Sequence, residues 1–276
     1  MPAVRVPGAE LDLVAGGRTP KVLSIGAPTY YQRVYSKKLR EELPIAFGDL
    51  RHWVPSLDGH DPSAITLDTY AEDIEAVRRA ALGDEPVVVM GHSIHGSIAI
   101  EYARRFPGSV RGVVAVAAPP VGVTALSSVS EAFWGRDASA ERKAAHAENL
   151  ARRPRPASIE RSQDVVDAYV ADGAKYWYDP YYDASWLWEG TVANMAVFGQ
   201  LMYGLFGEWQ LEPIEVPLLA QVGRYDYPVP YTLWTEAAKR VRGIELKVYD
   251  HSGHTPPLEE PEAFDRDLVT FVQGLG

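Results

Sequence analysis

Residues 87–107 read VVVMGHSIHGSIAIEYARRFP: an apolar run, a glycine, a serine, and then residues at helical spacing that end at Pro107. An apolar strand running into such a turn has the layout of a nucleophile elbow, G-x-S-x-G. There a strained strand-to-helix turn projects a serine hydroxyl from the top of a sheet. The serine here is Ser93, but the fifth position of the motif is His95, and glycine arrives one place late, at Gly96. His95 falls in the first turn of the following helix, where the positive helix end favours a neutral imidazole. Its expected role is to fill a core gap or bond a backbone carbonyl, with a contact to an active-site loop as the sharper alternative.

The chain around the elbow alternates strands and helices. AELDLVAGG alternates apolar and polar residues as a half-buried strand does, GGRTP is a turn, and KVLSIGAP is a buried run, so a hairpin is expected to feed an interior strand. A helix over YSKKLREEL, a strand over IAFGDL and a loop over RHWVPSLDGHDPSAI follow. Then comes a helix over TLDTYAEDIEAVRRAAL, where Leu67, Tyr70, Ile74 and Val77 recur at helical spacing. RGVVAVAAPP is another buried strand. The pattern predicts an α/β fold, a mostly parallel central sheet flanked by helices.

From about residue 122 to about residue 213 the alternation stops, and the segments are helical or irregular. It then resumes with VPLLAQVG, PYTLWTEAAKRV, IELKVYD and PPLEEPEAFDRDLVTFVQGL as strand, helix, strand and helix. This organisation predicts one core built from 1–121 and 214–276, interrupted by a helical cap over 122–213. No internal repeat or low-complexity tract is seen.

A chain of 276 residues with 46% hydrophobic and 23% charged residues is long enough for a large core. Its net charge of -10 argues against nucleic-acid or anionic-membrane partners, which need clustered Lys and Arg. The basic run RRPRP at Arg152 to Pro156 is short and reads as a solvated face. The absence of cysteine excludes disulfides, a thiolate nucleophile and cysteine-ligated metals. MPAVRVPGAELDLVAGG lacks a signal-peptide apolar run, and no run of about 18 apolar residues suggests a membrane span, so a cytoplasmic protein is expected.

A serine nucleophile needs an imidazole to take its proton and a carboxylate to orient that imidazole. In a parallel sheet the three can converge at the carboxyl ends of strands. Ser93 follows the strand EPVVVM, Asp226 follows VPLLAQVG through GRYD, and His254 follows IELKVYD through HSGH. Their chain order, Ser, Asp, His, is the α/β-hydrolase order.

On LDTYAEDIEAVRRA, VVVMGHSIHG, VGRYDYPVP and SGHTPPLEEPEAF, the chain resembles the α/β-hydrolase superfamily over about Ala9 to Phe271. Within it, it resembles the proline-iminopeptidase-like branch with a helical cap. The resemblance implies a cofactor-free, metal-free serine hydrolase in which Ser93 attacks, His254 moves the proton and Asp226 orients His254. Asp250 and His251 are the rivals for the last two roles; Asp250 lies at the end of the final strand, and Gly253-His254 fits the family better.

Family members carry His-Gly-Gly-Pro where this chain reads Ile25-Gly26-Ala27-Pro28. The amides of Ile94 and Ala27 are therefore expected to form the oxyanion hole, with Tyr30 or Tyr31 as a possible phenolic donor. Where members carry Asp-x-Arg-Gly-x-Gly-x-Ser, this chain has FGDLRHWVPS. The bulkier His52, Trp53 and Pro55 are candidates for a pocket wall or for packing at the sheet edge.

The expected cap is dense in aromatic residues, most of which must pack it onto the core. Tyr30, His95, Trp177, Tyr181, Trp186 and Trp188 are the candidates for the substrate pocket. An aminopeptidase would need a cap carboxylate for the substrate ammonium. Glu189 is the available one and reads better as a surface residue. The expectation is a small apolar or aromatic ester, lactone or amide. A prolyl aminopeptidase is one alternative, and a hydrolase-fold protein used for binding or for non-hydrolytic chemistry such as cyclisation is the other. The expected partner is a small-molecule substrate, with a homodimer as the one protein assembly considered.

Overall fold

The computed structural model describes residues 3–16, 18–55, 59 and 61–275; Gly17 of the expected GGRTP turn and Ser56, Leu57, Asp58 and His60 of the expected 51–65 loop lie outside them. Eight strands form one sheet: β1 (Ala3–Val6), β2 (Ala9–Val14), β3 (Val22–Ile25), β4 (Ile45–Gly48), β5 (Val87–His92), β6 (Val110–Val116), β7 (Leu218–Gly223) and β8 (Ile244–Tyr249). Their order is β1-β2-β4-β3-β5-β6-β7-β8, antiparallel at β1/β2 and β2/β4 and parallel elsewhere.

The apolar runs are explained by burial on both faces. Val87 and Val89 of β5 enter one core layer with Leu23 and Ile25 of β3 and Val113 and Ala115 of β6. Val88 and Met90 enter the other with Val22, Val114 and Val116. Successive side chains of a strand point to opposite faces, so a strand covered on both sides must be apolar throughout.

The helices α1 (Pro28–Val34), α2 (Lys37–Glu42), α3 (Leu67–Leu82) and α4 (Ile94–Arg105) accompany the first six strands. α3 starts from a capping box between Thr66 and Thr69 and buries Tyr70, Ile74 and Val77. Between β6 and β7 run α5 (Val123–Asp137), α6 (Ala140–Arg152), α7 (Ser162–Ala171), α8 (Gly173–Tyr176), a 3-10 turn at Ser185–Trp188, α9 (Met195–Gly199) and a π-helical turn at Gln200–Leu205. α10 (Tyr231–Arg240), α11 (Pro256–Glu259) and α12 (Pro261–Gly274) complete the chain. Among the described residues no helix is long and apolar enough to cross a membrane.

Three local expectations are corrected. The hairpin is β1/β2, and β2 pairs with β4, not with the buried strand that follows it, because β3 sits between β4 and β5. α1 forms in what reads as loop, since Pro28 stands in its first turn, where a missing N–H costs nothing. The last helix is two, broken at Glu260 before Pro261, because the residue before a proline is pushed out of helical conformation.

Candidate active site

Ser93 stands between β5 and α4 with φ 56° and ψ -135°, one of two non-glycine residues at positive φ among those described. Its amide donates to Val116 O at 2.8 Å, and its side chain does not cap α4. A serine serving only as a helix cap would bond an amide of the first turn; this hydroxyl is left for other chemistry. The displaced glycine also has a physical reason. A Cβ on Gly96 would lie 2.4 Å from Ala118 Cβ, so the close approach of α4 to the end of β6 occurs at position 96 and leaves position 95 free for a large side chain.

His254 and Asp226 meet in the loops after β8 and β7. Nδ1 of His254 lies 2.7 Å from Asp226 Oδ2, and the other carboxylate oxygen accepts from the Val229 amide at 2.8 Å. Asp226 is fully buried, and burial raises its carboxyl above the ordinary value while His254 pulls it back. A proton on Nδ1 directed at Asp226 leaves Nε2 of His254 for a hydroxyl partner.

The loop that carries His254 is held from two sides. Its amide donates to Tyr176 O at 2.5 Å in the helical insertion. Glu259 accepts from the amides of Gly253 and Thr255, either side of His254, at 2.9 and 3.2 Å, and from Tyr178 N at 2.6 Å. Burial raises the Glu259 carboxyl to about 7 against these three bonds. The rivals sit elsewhere: Asp250 pairs with Arg224 at 2.6 Å, and His251 is exposed.

Ser93, Ile94, His95, Ala27 and His254 open onto one cavity of about 200 Å³. The amides of Ala27 and Ile94 make no hydrogen bond among the described residues. Gly26, before Ala27, has φ 122°, and a Cβ there would lie 2.8 Å from His95 Nδ1, so the loop crosses the imidazole at a point only glycine fits.

Tyr30, His95 and Trp188 line the cavity as the sequence suggests; Trp177, Tyr181 and Trp186 do not. Trp177 is buried in the core layer behind the site, its ring tilted against Tyr182 with centroids 4.6 Å apart. Tyr181 is exposed, bonds Glu148 and lies under Arg152, and Trp186 is exposed with its indole bonded to Tyr182. Aromatic content alone does not tell which face of a short helical turn looks inward. Trp53, Tyr31 and His92 of the core and Val165, Tyr169, Tyr176, Phe198 and Met202 of the insertion complete the wall. Glu189 is exposed and is not among the lining residues.

A chain of rings runs from the wall into the core. Tyr31 OH lies 2.7 Å from His95 Nδ1 and 3.5 Å from His92 Nδ1, and His92 Nε2 lies 2.7 Å from His254 O. His95 Nε2 lies 3.0 Å from His52 Nε2 and accepts from Trp53 Nε1 at 3.3 Å; His52 Nδ1 lies 3.1 Å from Tyr70 OH. Burial pushes His52 and His92 down to about 3 and His95 well below its ordinary value, so all three are neutral at pH 7. A bidentate pair, Arg51 to Asp73 at 2.6 Å on both arms, anchors the His52–Trp53 turn to α3. Of the three bulky residues, Trp53 alone lines the cavity; His52 is fully buried behind His95, and Pro55 is not among the lining residues. Among the described residues no cluster of His, Asp or Glu is arranged to hold a metal ion.

The model of the alpha/beta hydrolase family matches residues 21–267. The AB hydrolase superfamily protein YclE of Bacillus subtilis is 30% identical over 96% of both chains. A proline iminopeptidase of Saccharolobus solfataricus is 23% identical, over 78% of this chain and 71% of its own. The crystal structure of VinJ superposes with a TM-score of 0.71 at 17% identity, covering 100% of this chain and 98% of that one. With the family model spanning most of its length, and with this sheet order, the chain belongs to the alpha/beta hydrolase family.

Proposed function

We propose that the protein is a cofactor-free serine hydrolase that cleaves an uncharged ester, lactone or amide of a small apolar or aromatic substrate, with 122–213 as its cap. Ser93 Oγ attacks the acyl carbon while His254 Nε2 takes its proton, and Asp226 orients and stabilises the imidazolium. The amides of Ile94 and Ala27 face the oxyanion, each worth about 3 kcal/mol in the transition state. His254 then returns the proton to the leaving group, and water, activated by the same imidazole, releases the acyl group.

The observation that carries this reading is the cavity lining. Ser93 and His254 share it with aromatic and aliphatic side chains, and none of its described lining residues is Asp, Glu, Lys or Arg. A substrate ammonium or carboxylate would enter such a site without a counter-charge, at a cost of several kcal/mol. That argues against a prolyl aminopeptidase and for a neutral substrate. A panel of short aliphatic esters, aromatic esters, lactones and prolyl arylamides tests it. Neutral esters or lactones should be the best substrates by kcat/KM, and a clear preference for prolyl arylamides would overturn the assignment.

A further inference from the structure

The two loops that bring Asp226 and His254 together make main-chain bonds to one short stretch of the insertion. Tyr227 N donates to Lys175 O at 3.1 Å and His254 N to Tyr176 O at 2.5 Å. Glu259, which holds the amides on either side of His254, also accepts from Tyr178 N. A Cβ on Gly253 would lie 2.2 Å from Tyr176 O, so the stretch and the His254 loop touch backbone to backbone. Residues 175–178 have little helix to hold them, since α8 is a single turn that ends at Tyr176. What holds them is Arg142 of α6. Its Nη1 donates to Ala174 O and Trp177 O at 2.8 and 2.7 Å, and its Nη2 to Tyr178 O at 2.5 Å. Its guanidinium carbon lies 5.0 Å from the ring centroid of Tyr225 and 5.6 Å from that of Tyr227, the residues on either side of Asp226.

Arg142 is buried, and none of its hydrogen bonds among the described residues goes to a carboxylate. A buried cation is costly unless its surroundings solvate it, so the three carbonyls and two ring faces must stay closed around it. Those groups belong to the insertion and to the Asp226 loop, and closing them on one planar fork of donors fixes one against the other. We propose that Arg142 is a positioning residue for the Asp226–His254 pair. It braces residues 174–178 of the insertion against both loops, and through their main chains it sets the register of carboxylate and imidazole. This part of the insertion belongs to the catalytic apparatus and does not swing free of it as a lid. The kinetic consequence rests on the hydrolase reading; the mechanical one does not.

Arg142→Met keeps most of the side-chain length and removes the charge and the donors; Arg142→Lys keeps the charge but cannot span three carbonyls. Asn149→Ala, which removes a bond from the same helix to Pro180 O, loosens the insertion away from the two loops and serves as the control. Hydrogen exchange read by mass spectrometry follows peptides over 225–229 and 252–256, with one over 87–92 reporting global opening. In Arg142→Met the two loop peptides should exchange about tenfold faster with 87–92 unchanged, and on the best ester kcat should fall about tenfold with KM within about twofold. Asn149→Ala should match the wild type in kcat. If Arg142→Met does not fold, Arg142→Lys decides alone, with loop exchange and kcat each changed about threefold. Loop exchange as slow as in the wild type in a folded variant overturns the proposal. So does faster loop exchange with kcat unaltered, or a rise in KM alone, which would mean that the brace shapes only the cavity wall. If no ester is turned over and Ser93 takes no phosphonate, the hydrolase reading fails, and the exchange of the loop peptides still decides whether Arg142 holds them.

Discussion

The hydroxyl of Tyr31 lies 2.7 Å from Nδ1 of His95, and this contact is the centre of a buried array whose protons follow from its neighbours. Trp53 Nε1 only donates, so His95 Nε2, 3.3 Å away, must present a lone pair, and the His95 proton sits on Nδ1, directed at Tyr31. His52 then donates from Nε2 to His95 and accepts from Tyr70 at Nδ1. At the other end, His254 O only accepts, so His92 carries its proton on Nε2 and leaves Nδ1 for the Tyr31 hydroxyl. One consistent set of neutral tautomers links α4, α1, the turn after β4 and the loop that carries His254.

His95→Gly removes the hub of this array. It leaves Trp53 Nε1 and His52 Nε2 without a partner and Tyr31 with only the 3.5 Å contact to His92, opens a cavity and places glycine in a helix. Stability should fall by about 3 kcal/mol in urea unfolding. His95→Asn, which returns a donor near the Nδ1 position, should recover part of it. A glycine variant as stable as the wild type would show the array to be energetically idle.

The same burial sets an acid limit on stability. His52 titrates at about 3 in the fold and at about 6.5 when unfolded, so its contribution is fully present above pH 6.5 and is lost as pH falls toward 3. His92 behaves alike. Each histidine steepens the decline by up to roughly 1.4 kcal/mol per pH unit. His52→Gln should flatten the stability profile between pH 6 and 4 by about one proton; an unchanged slope would mean that His52 is protonated in the folded protein.

Much of the candidate site is legible in the sequence because the proposed chemistry needs particular residue types at strand ends. Ser93, Asp226 and His254 can be placed from the apolar runs that precede them, whereas the tight crossing at Gly96 is seen only in the structure. The pocket is less legible. Trp177 and Trp188 look alike in sequence, and the difference between core and cavity arises from how short turns of the insertion rotate against α1. The contacts of His52 with His95 and of Glu259 with Tyr178 join residues 43 and 81 apart in sequence, and no spacing rule shows them. α1 is hidden because it is short and its tyrosines face both the core and the cavity.

Asp226→Asn keeps the shape of the side chain but removes the charge that steadies the imidazolium, and it can present an amide N–H to Nδ1 in place of an acceptor. Turnover should fall roughly 10,000-fold with the fold retained. A loss below tenfold on the best ester would shift the carboxylate role elsewhere.

Glu259→Gln tests the clamp on the His254 loop. Glu259 accepts from Tyr178 on one oxygen and from Gly253 and Thr255 on the other. A glutamine keeps one acceptor and turns an NH2 donor toward the remaining amides. Above about pH 7, where the carboxylate is ionised, His254 should therefore be held less well in the variant. The expected result is a fall in kcat of about tenfold with KM within about twofold, as for loss of a transition-state interaction. A change in KM alone would place Glu259 in substrate binding.

The central claim, that Ser93 is an activated nucleophile, is tested most directly by intact-mass analysis after reaction with a fluorophosphonate. The account predicts a single adduct on the wild-type protein, mapped to Ser93, much slower labelling of His254→Ala, and none on Ser93→Ala. A folded wild-type protein that takes up no adduct, or takes it up equally well without Ser93, would contradict it.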